Sequence, residues 1–115
     1  MKLNTLVSPL ALATALLFSS QAMSAVDAAA AEALAKKEGC LKCHGIDKAK
    51  DAKSLTELSG KYKGKADADA KIYTHLTTGP KVKHEDGTED EHKIIKTKDK
   101  GDIDNLIAWF RSLAK

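Results

Sequence analysis

The sequence has no hydrophobic run long enough to span a membrane. Its most apolar stretch, LVSPLALATALLF near the N-terminus, has about 13 residues, whereas a spanning helix needs about 20. Lys2 supplies a basic start before this stretch, and the small residues of QAMSA follow it, which is typical of a secretory signal peptide. We predict a signal peptide over residues 1–25, cleaved near Ala25, and one domain over residues 26–115 that is not stably inserted in a membrane.

Methionine and aromatic residues are also scarce. The two methionines, Met1 and Met23, both lie in the predicted signal peptide, so residues 26–115 contain none. Aromatic residues make up only 4% of the chain, which leaves few large side chains to build a core. A domain of about 90 residues buries too little apolar surface to be generously stable by itself.

The predicted domain has no large excess of charge of either sign. The formal net charge is +3 for the whole chain and falls by one when Lys2 is removed. Acidic and basic residues are interspersed, whereas a nucleic-acid-binding protein has a one-sided basic patch. We therefore expect a solvated, lysine-rich surface and no nucleic-acid partner.

Strand signals are nearly absent, and helix signals dominate. Three helices are predicted in the first part of the domain, within residues 26–39, 54–62 and 67–78. Asp27 is the expected N-cap of the first helix, and Ser54 with Glu57 has the capping-box spacing for the second. The first and third helices are expected to stop at Gly39 and Gly79.

The C-terminal stretch DIDNLIAWFRSLAK is the clearest helix. Asp102 is its expected N-cap, and an apolar stripe predicts that it packs on the first helix. The stripe consists of Ile103, Leu106, Ile107, Phe110 and Leu113. Between Pro80 and Gly101 lies a predicted loop of about 20 residues, a length that indicates function or a mistaken assignment. Its one weak strand signal is HKIIKTK, so we predict an all-α domain.

The segment GCLKCHGID contains the candidate cofactor-binding residues. Cys40, Cys43 and His44 form the CxxCH motif of c-type haem attachment. Residues three and four apart share a face of a helical turn, so both thiols can meet the vinyl groups of one porphyrin while His44 reaches the iron. The alternatives are a redox disulfide, which needs a βαβ setting that is missing here, and a zinc site, which needs a fourth ligand.

The predicted domain resembles the small bacterial class I c-type cytochromes. The resemblance rests on a helix running into CLKCH, the segments KYKG and HLTTG, and the terminal helix LIAWFRSLAK. It implies a cytochrome c fold of about four helices around one haem c, bound covalently through Cys40 and Cys43 with His44 as an axial ligand. It also implies a monomeric electron carrier, not an enzyme, that exchanges electrons with redox partner proteins in the periplasm.

Two departures from the family pattern stand out. Relatives carry a Gly-Pro pair eight or nine residues after the haem histidine, and its carbonyl orients the imidazole; Ala52 and Lys53 stand there in this sequence. The carbonyl of Lys53 is still able to accept that hydrogen bond. Relatives also use a methionine as the second axial ligand, which residues 26–115 do not offer.

Three histidines remain for the sixth coordination position. His92 is our expected ligand, because it lies about 17 residues before Trp109, near the separation at which relatives place their methionine, and has apolar neighbours. His84, in the same loop, is the second choice. His75 lies on the third helix, where the resemblance implies a polar contact to a haem propionate.

Two functions are consistent with this pattern. The first is a one-electron carrier with bis-histidine ligation. The second is a haem protein that binds or reduces a small ligand such as oxygen, nitric oxide or peroxide at an open or labile sixth position. The missing methionine keeps the second function open.

Overall fold

The computed structural model describes residues 25–115, so all but the last residue of the predicted signal peptide lies outside it. The elements are α1 (Ala28–Lys37), α2 (Cys40–Cys43), α3 (Leu55–Tyr62), α4 (Ala68–Thr78), β1 (Lys81–Lys83), β2 (Glu89–Glu91) and α5 (Lys100–Ser112). Four of the five helices are those predicted, and α2 is a single extra turn that contains both cysteines. Over this part of the chain, no helix combines the length and apolar character needed to cross a membrane.

Helices α1, α3 and α4 are capped by the residues that the sequence indicated. The carboxylate of Asp27 accepts a hydrogen bond from the backbone N–H of Ala30 at 3.0 Å. The hydroxyl of Ser54 accepts one from the N–H of Glu57 at 3.1 Å. Gly39, with φ +80°, and Gly79, with φ +59°, take left-handed conformations at the ends of α1 and α4.

Helix α5 begins one turn earlier than predicted. Its N-cap is Asp99, whose carboxylate accepts a hydrogen bond from the backbone N–H of Asp102 at 2.9 Å. The prediction that Asp102 is the N-cap was therefore wrong. Asp102 lies in the first turn, where a negative charge is favourable beside the helix dipole.

The core forms where α5 packs against α1, α3 and α4. Ala31 and Ala35 on α1 are both 1% exposed, and their small side chains let α5 approach closely. The buried residues of α5 are Ile103, Leu106, Ile107 and Trp109. Phe110 and Leu113, predicted in the buried stripe, are only half-buried. The terminal helices thus pack together as expected, with Trp109 added to their buried face.

A short antiparallel hairpin occupies part of the predicted loop. It pairs Lys81 with Glu91 and Lys83 with Glu89, so residues of opposite charge are opposite each other in the register, an arrangement that is favourable in antiparallel pairs. The strand signal that we assigned to residues 92–98 was wrong, because the described structure has no strand there. The all-α class holds for the core, with this hairpin as an addition.

Candidate functional site

The CxxCH motif lies directly after the left-handed turn at Gly39. Helix α2 carries Cys40 half-buried and Cys43 exposed, and both thiols are free. Burial raises the pKa of the Cys40 thiol. One helical turn thus presents the two thiols and the adjacent His44 to the same cavity.

His44 is oriented by a hydrogen bond that its ring donates to its own loop. Its Nδ1 lies 2.7 Å from the backbone carbonyl oxygen of Lys53. Since a carbonyl oxygen only accepts, Nδ1 must carry the proton, which leaves the lone pair of Nε2 free to bind a metal. The predicted role of the Lys53 carbonyl is confirmed, although proline is absent. The loop is tight, because a Cβ atom on Gly45 would collide with the carbonyl oxygen of Lys48.

A cavity of about 570 Å³ lies between the motif and the chain that follows α4. Its apolar walls come from Leu55, Leu58, Ile72, Leu76, Ile95, Trp109 and Phe110. Apolar walls with a few polar groups are typical of cofactor sites. Sequence analysis placed several of these residues in the core, but it did not assign them to a cavity wall.

His92 faces His44 inside this cavity. The centres of the two imidazole rings are 6.3 Å apart, and the ring planes make an angle of 38°. Nδ1 of His92 lies 3.0 Å from the carbonyl oxygen of Lys93, so this ring also keeps Nε2 free. Burial, and then the nearby His75, lower the pKa of His92 and favour the neutral imidazole that binds metals.

His75 lies beside His92, with ring centres 4.2 Å apart. It is half-buried on α4, and burial is the main cause that lowers its pKa. His84 also lines the cavity, from the turn of the hairpin, where its backbone N–H bonds to the carbonyl of Thr88. The structure thus brings His75 and His92 into contact, whereas the proposed propionate contact of His75 stays a prediction.

Residues 92–97, which we call the distal strap, carry His92 along the cavity. At the start of the strap, the N–H of His92 bonds to the carbonyl of Pro80 at 2.9 Å, and that of Ile95 bonds to the carbonyl of Leu76 at 2.9 Å. A Cβ atom on Gly79 would lie 2.7 Å from the carbonyl oxygen of His92. Glycine is therefore required for this close approach as well as for the end of α4.

The far end of the strap is held by an acidic side chain. The carboxylate of Glu38 accepts hydrogen bonds from the backbone N–H groups of Lys96 and Thr97. Sequence analysis missed this role and the second role of Gly79. The one available signal was an acidic residue at the C-terminal end of α1, where the helix dipole disfavours negative charge.

The described residues fit a covalently bound haem. Two thiols and one imidazole converge from a single helical turn, apolar walls enclose the space beside them, and a second imidazole stands opposite. Cys40 and Cys43 would hold the porphyrin, and His44 would bind its iron.

Comparisons with known proteins identify the family and the fold. The family model of cytochrome c matches residues 28–114. The class 1 cytochrome MtoD of Sideroxydans lithotrophicus ES-1 is 49% identical, with a TM-score of 0.76 over 79% of this chain and 100% of that chain. A comparison with curated proteins found no match.

Cytochrome c552 of Nitrosomonas europaea shares the fold at lower identity. The wild-type protein is 21% identical with a TM-score of 0.56, and a deletion mutant of it is 21% identical with a TM-score of 0.57. Both cover 71% of this chain and 98% of their own. The predictions of a cytochrome c fold, a haem c cofactor and an electron carrier are confirmed. The chain belongs to the cytochrome c family, and it is a monohaem electron carrier that exchanges electrons with redox partners and is not an enzyme.

Proposed function

We propose that the mature protein is a periplasmic electron carrier whose haem iron is bound by His44 and His92. The observation that carries the proposal is the 6.3 Å separation of their ring centres across the cavity. Two imidazoles that bind one metal ion from opposite sides, through bonds of about 2 Å, have ring centres about 6 Å apart. The two side chains therefore have the spacing that a shared metal ion requires.

The hydrogen bonds of both rings support the same assignment. Each Nδ1 faces a backbone carbonyl oxygen, that of Lys53 for His44 and that of Lys93 for His92. Such a bond fixes the tautomer and the orientation of a metal-binding histidine. Both Nε2 atoms are thereby left as the available metal-binding atoms.

Closed axial positions suit electron transfer. When bound, haem supplies an iron that gains or loses one electron. His44 and His92 would both bind the iron, and the apolar walls would limit the access of water to the space between them. This arrangement favours the electron carrier over a site that binds or reduces small ligands, which needs a vacant position.

The periplasmic location rests on the predicted signal peptide over residues 1–25. An oxidising compartment also suits two cysteines committed to thioether bonds. The monomeric state stays a prediction from the family resemblance.

The test of the ligation compares two histidine variants of the holoprotein. His92→Ala should convert the ferric spectrum from low-spin to high-spin and let the reduced protein bind carbon monoxide, because the iron loses its sixth ligand. His84→Ala is the matched control and should leave both properties unchanged. The reverse pattern would transfer the ligand role to His84.

Because His75 lies beside His92, the test includes one further variant. If His92→Ala stays low-spin while His92→Ala with His75→Ala becomes high-spin, the ring of His75 has moved into the empty position from 4.2 Å away. A wild-type protein that is already high-spin, or that binds carbon monoxide rapidly, would favour the small-ligand function.

A further inference from the structure

Glu38 is a buried carboxylate beside the haem attachment motif. Only 5% of its surface is exposed, and it directly precedes Gly39 and Cys40. We propose that Glu38 is a positioning residue that anchors the distal strap and thereby keeps His92 on the iron. This inference rests on the proposed ligation by His92.

The contacts of Glu38 are long-range and directed at the strap. Its Oε2 accepts a hydrogen bond from the backbone N–H of Lys96 at 2.7 Å, and its Oε1 accepts one from that of Thr97 at 3.3 Å. The partners lie 58 and 59 positions away in the sequence. Hydrogen bonds to a charged acceptor are stronger than those between neutral groups.

Two features of this position are unfavourable for a charge. Glu38 is the C-cap of α1, and a negative charge at a helix C-terminus is unfavourable beside the helix dipole. Burial adds a desolvation cost that only hydrogen bonds or opposite charges offset. The capping itself uses the backbone N–H of Glu38, bonded to the carbonyl of Leu34, so the carboxylate contributes through the strap.

The strap joins this contact to His92. The N–H of His92 bonds to the carbonyl of Pro80, just after α4, and that of Ile95 bonds to the carbonyl of Leu76 on α4. Ile95 is 4% exposed. Glu38 fixes the two residues that follow Ile95, so the strap is held on both sides of its buried residue. Loss of the carboxylate frees the far end, and His92 can then leave the iron more readily. Because Glu38 directly precedes the attachment motif, it also connects the His44 side of the cavity with the His92 side.

The test measures how fast an external ligand replaces His92 in the ferric holoprotein. Cyanide in large excess binds at a rate limited by the release of His92. Glu38→Ala should raise this limiting rate about tenfold or more, since a hydrogen bond to a charged group contributes enough for such a factor. Glu38→Gln keeps one acceptor oxygen, so its limiting rate should lie between those of Glu38→Ala and the wild type.

Glu32→Ala is the matched control, because Glu32 lies on α1, its side chain is 41% exposed, and its ion pair among the described residues is with Lys36. It should leave the rate unchanged. Equal rates for Glu38→Ala and Glu32→Ala, in a protein whose low-spin spectrum depends on His92, would overturn the role of Glu38 alone. A low-spin spectrum that survives in both His92→Ala and its double variant with His75→Ala would overturn the proposed ligation and this inference together. Far-ultraviolet circular dichroism of Glu38→Gln checks that the graded rates come from a folded protein.

Discussion

The two histidines that face each other across the cavity are held by different kinds of contact. His44 follows Cys43 directly, and the carbonyl that orients it belongs to Lys53, nine positions later. His92 depends on contacts from α4 and on Glu38, which is 58 positions from Lys96. The His44 side of the cavity, which we call the proximal side, is therefore specified by one local segment, residues 39–53. The His92 side, which we call the distal side, is specified by tertiary packing.

This difference indicates how each side should respond to change. A local segment tied by covalent bonds and short loops keeps its geometry as long as the attachment exists. A strap held by hydrogen bonds from separate elements can open while the rest of the domain stays folded. Variants on the His44 side should therefore affect the haem attachment, whereas variants on the His92 side should open the strap while the domain stays folded.

Removing the proximal attachment should have the largest effect. Cys40→Ala combined with Cys43→Ala prevents covalent haem binding and leaves the cavity of about 570 Å³ without its occupant. We expect a chain that does not fold stably, because burial by the polypeptide alone barely offsets its conformational entropy. Thermal circular dichroism measures this, with Lys42→Ala, an exposed change inside the motif, as the folded control. A cooperative transition with native helix content in the double variant would contradict the expectation.

Exchanging the distal ligand should shift the reduction potential. Bis-histidine ligation predicts a wild-type potential below that of His/Met relatives, because a methionine ligand raises it. His92→Met should raise the potential on the order of 0.1 V, within the roughly 0.8 V range that axial ligands cover. Potentiometric titration measures the shift, and His84→Met is the control. A wild-type value typical of His/Met cytochromes, or an equal shift in both variants, would count against His92 as the ligand.

Crowding the strap at Gly79 should have a smaller effect. Gly79→Ala introduces a Cβ atom 2.7 Å from the carbonyl oxygen of His92 and 2.8 Å from Cγ1 of Ile94. Gly64→Ala is a matched control, because Gly64 also has a positive φ, of +75°, but nothing within 4 Å of its Cβ position. Left-handed strain affects both variants, by about 1–2 kcal/mol.

The close approach should add about 1–3 kcal/mol to the loss of unfolding free energy in Gly79→Ala alone. Chemical denaturation of the two holoproteins measures this difference. The Gly79 variant should also show a larger high-spin fraction. Equal losses in the two variants would mean that the strap does not depend on the close approach.

The smallest effect is expected at the start of α5, away from both histidines. Asp99→Ala removes the N-cap hydrogen bond and should cost about 1 kcal/mol. Asp102→Ala removes only a favourable charge in the first turn and should cost about 0.3–1 kcal/mol. Denaturant titration of both variants checks the order, and the haem spectrum should not change. A larger loss of unfolding free energy in Asp102→Ala than in Asp99→Ala would mean that Asp102 is the N-cap.

The features predicted from the sequence are those fixed by neighbouring residues. The ends of α1, α3 and α4 followed from Asp27, Ser54 and Gly79. The residues of the CxxCH motif line one cavity, and their roles as attachment residues and iron ligand stay predictions. The start of α5 was mistaken because Asp99 and Asp102 both precede the apolar stripe. Only the structure identifies which carboxylate accepts the N–H of the first turn.

The features that were missed depend on contacts between distant segments. The strands KVK and EDE contain only one β-branched residue, Val82, and no aromatic residue, so they carry little of the usual strand signal. They pair in a register that sets lysines opposite glutamates. Glu38 was missed because its partners are backbone N–H groups, which leave no trace in the sequence. The distance from His92 to His44 was likewise beyond a sequence pattern, although the position of His92 followed from the family resemblance.

Pulsed electron paramagnetic resonance of the ferric wild-type holoprotein, labelled with ¹⁵N at histidine, tests the central claim most directly. The account predicts a wholly low-spin iron that couples to two axial imidazole nitrogens, from His44 and His92. A high-spin signal, or coupling to one axial imidazole only, would contradict it.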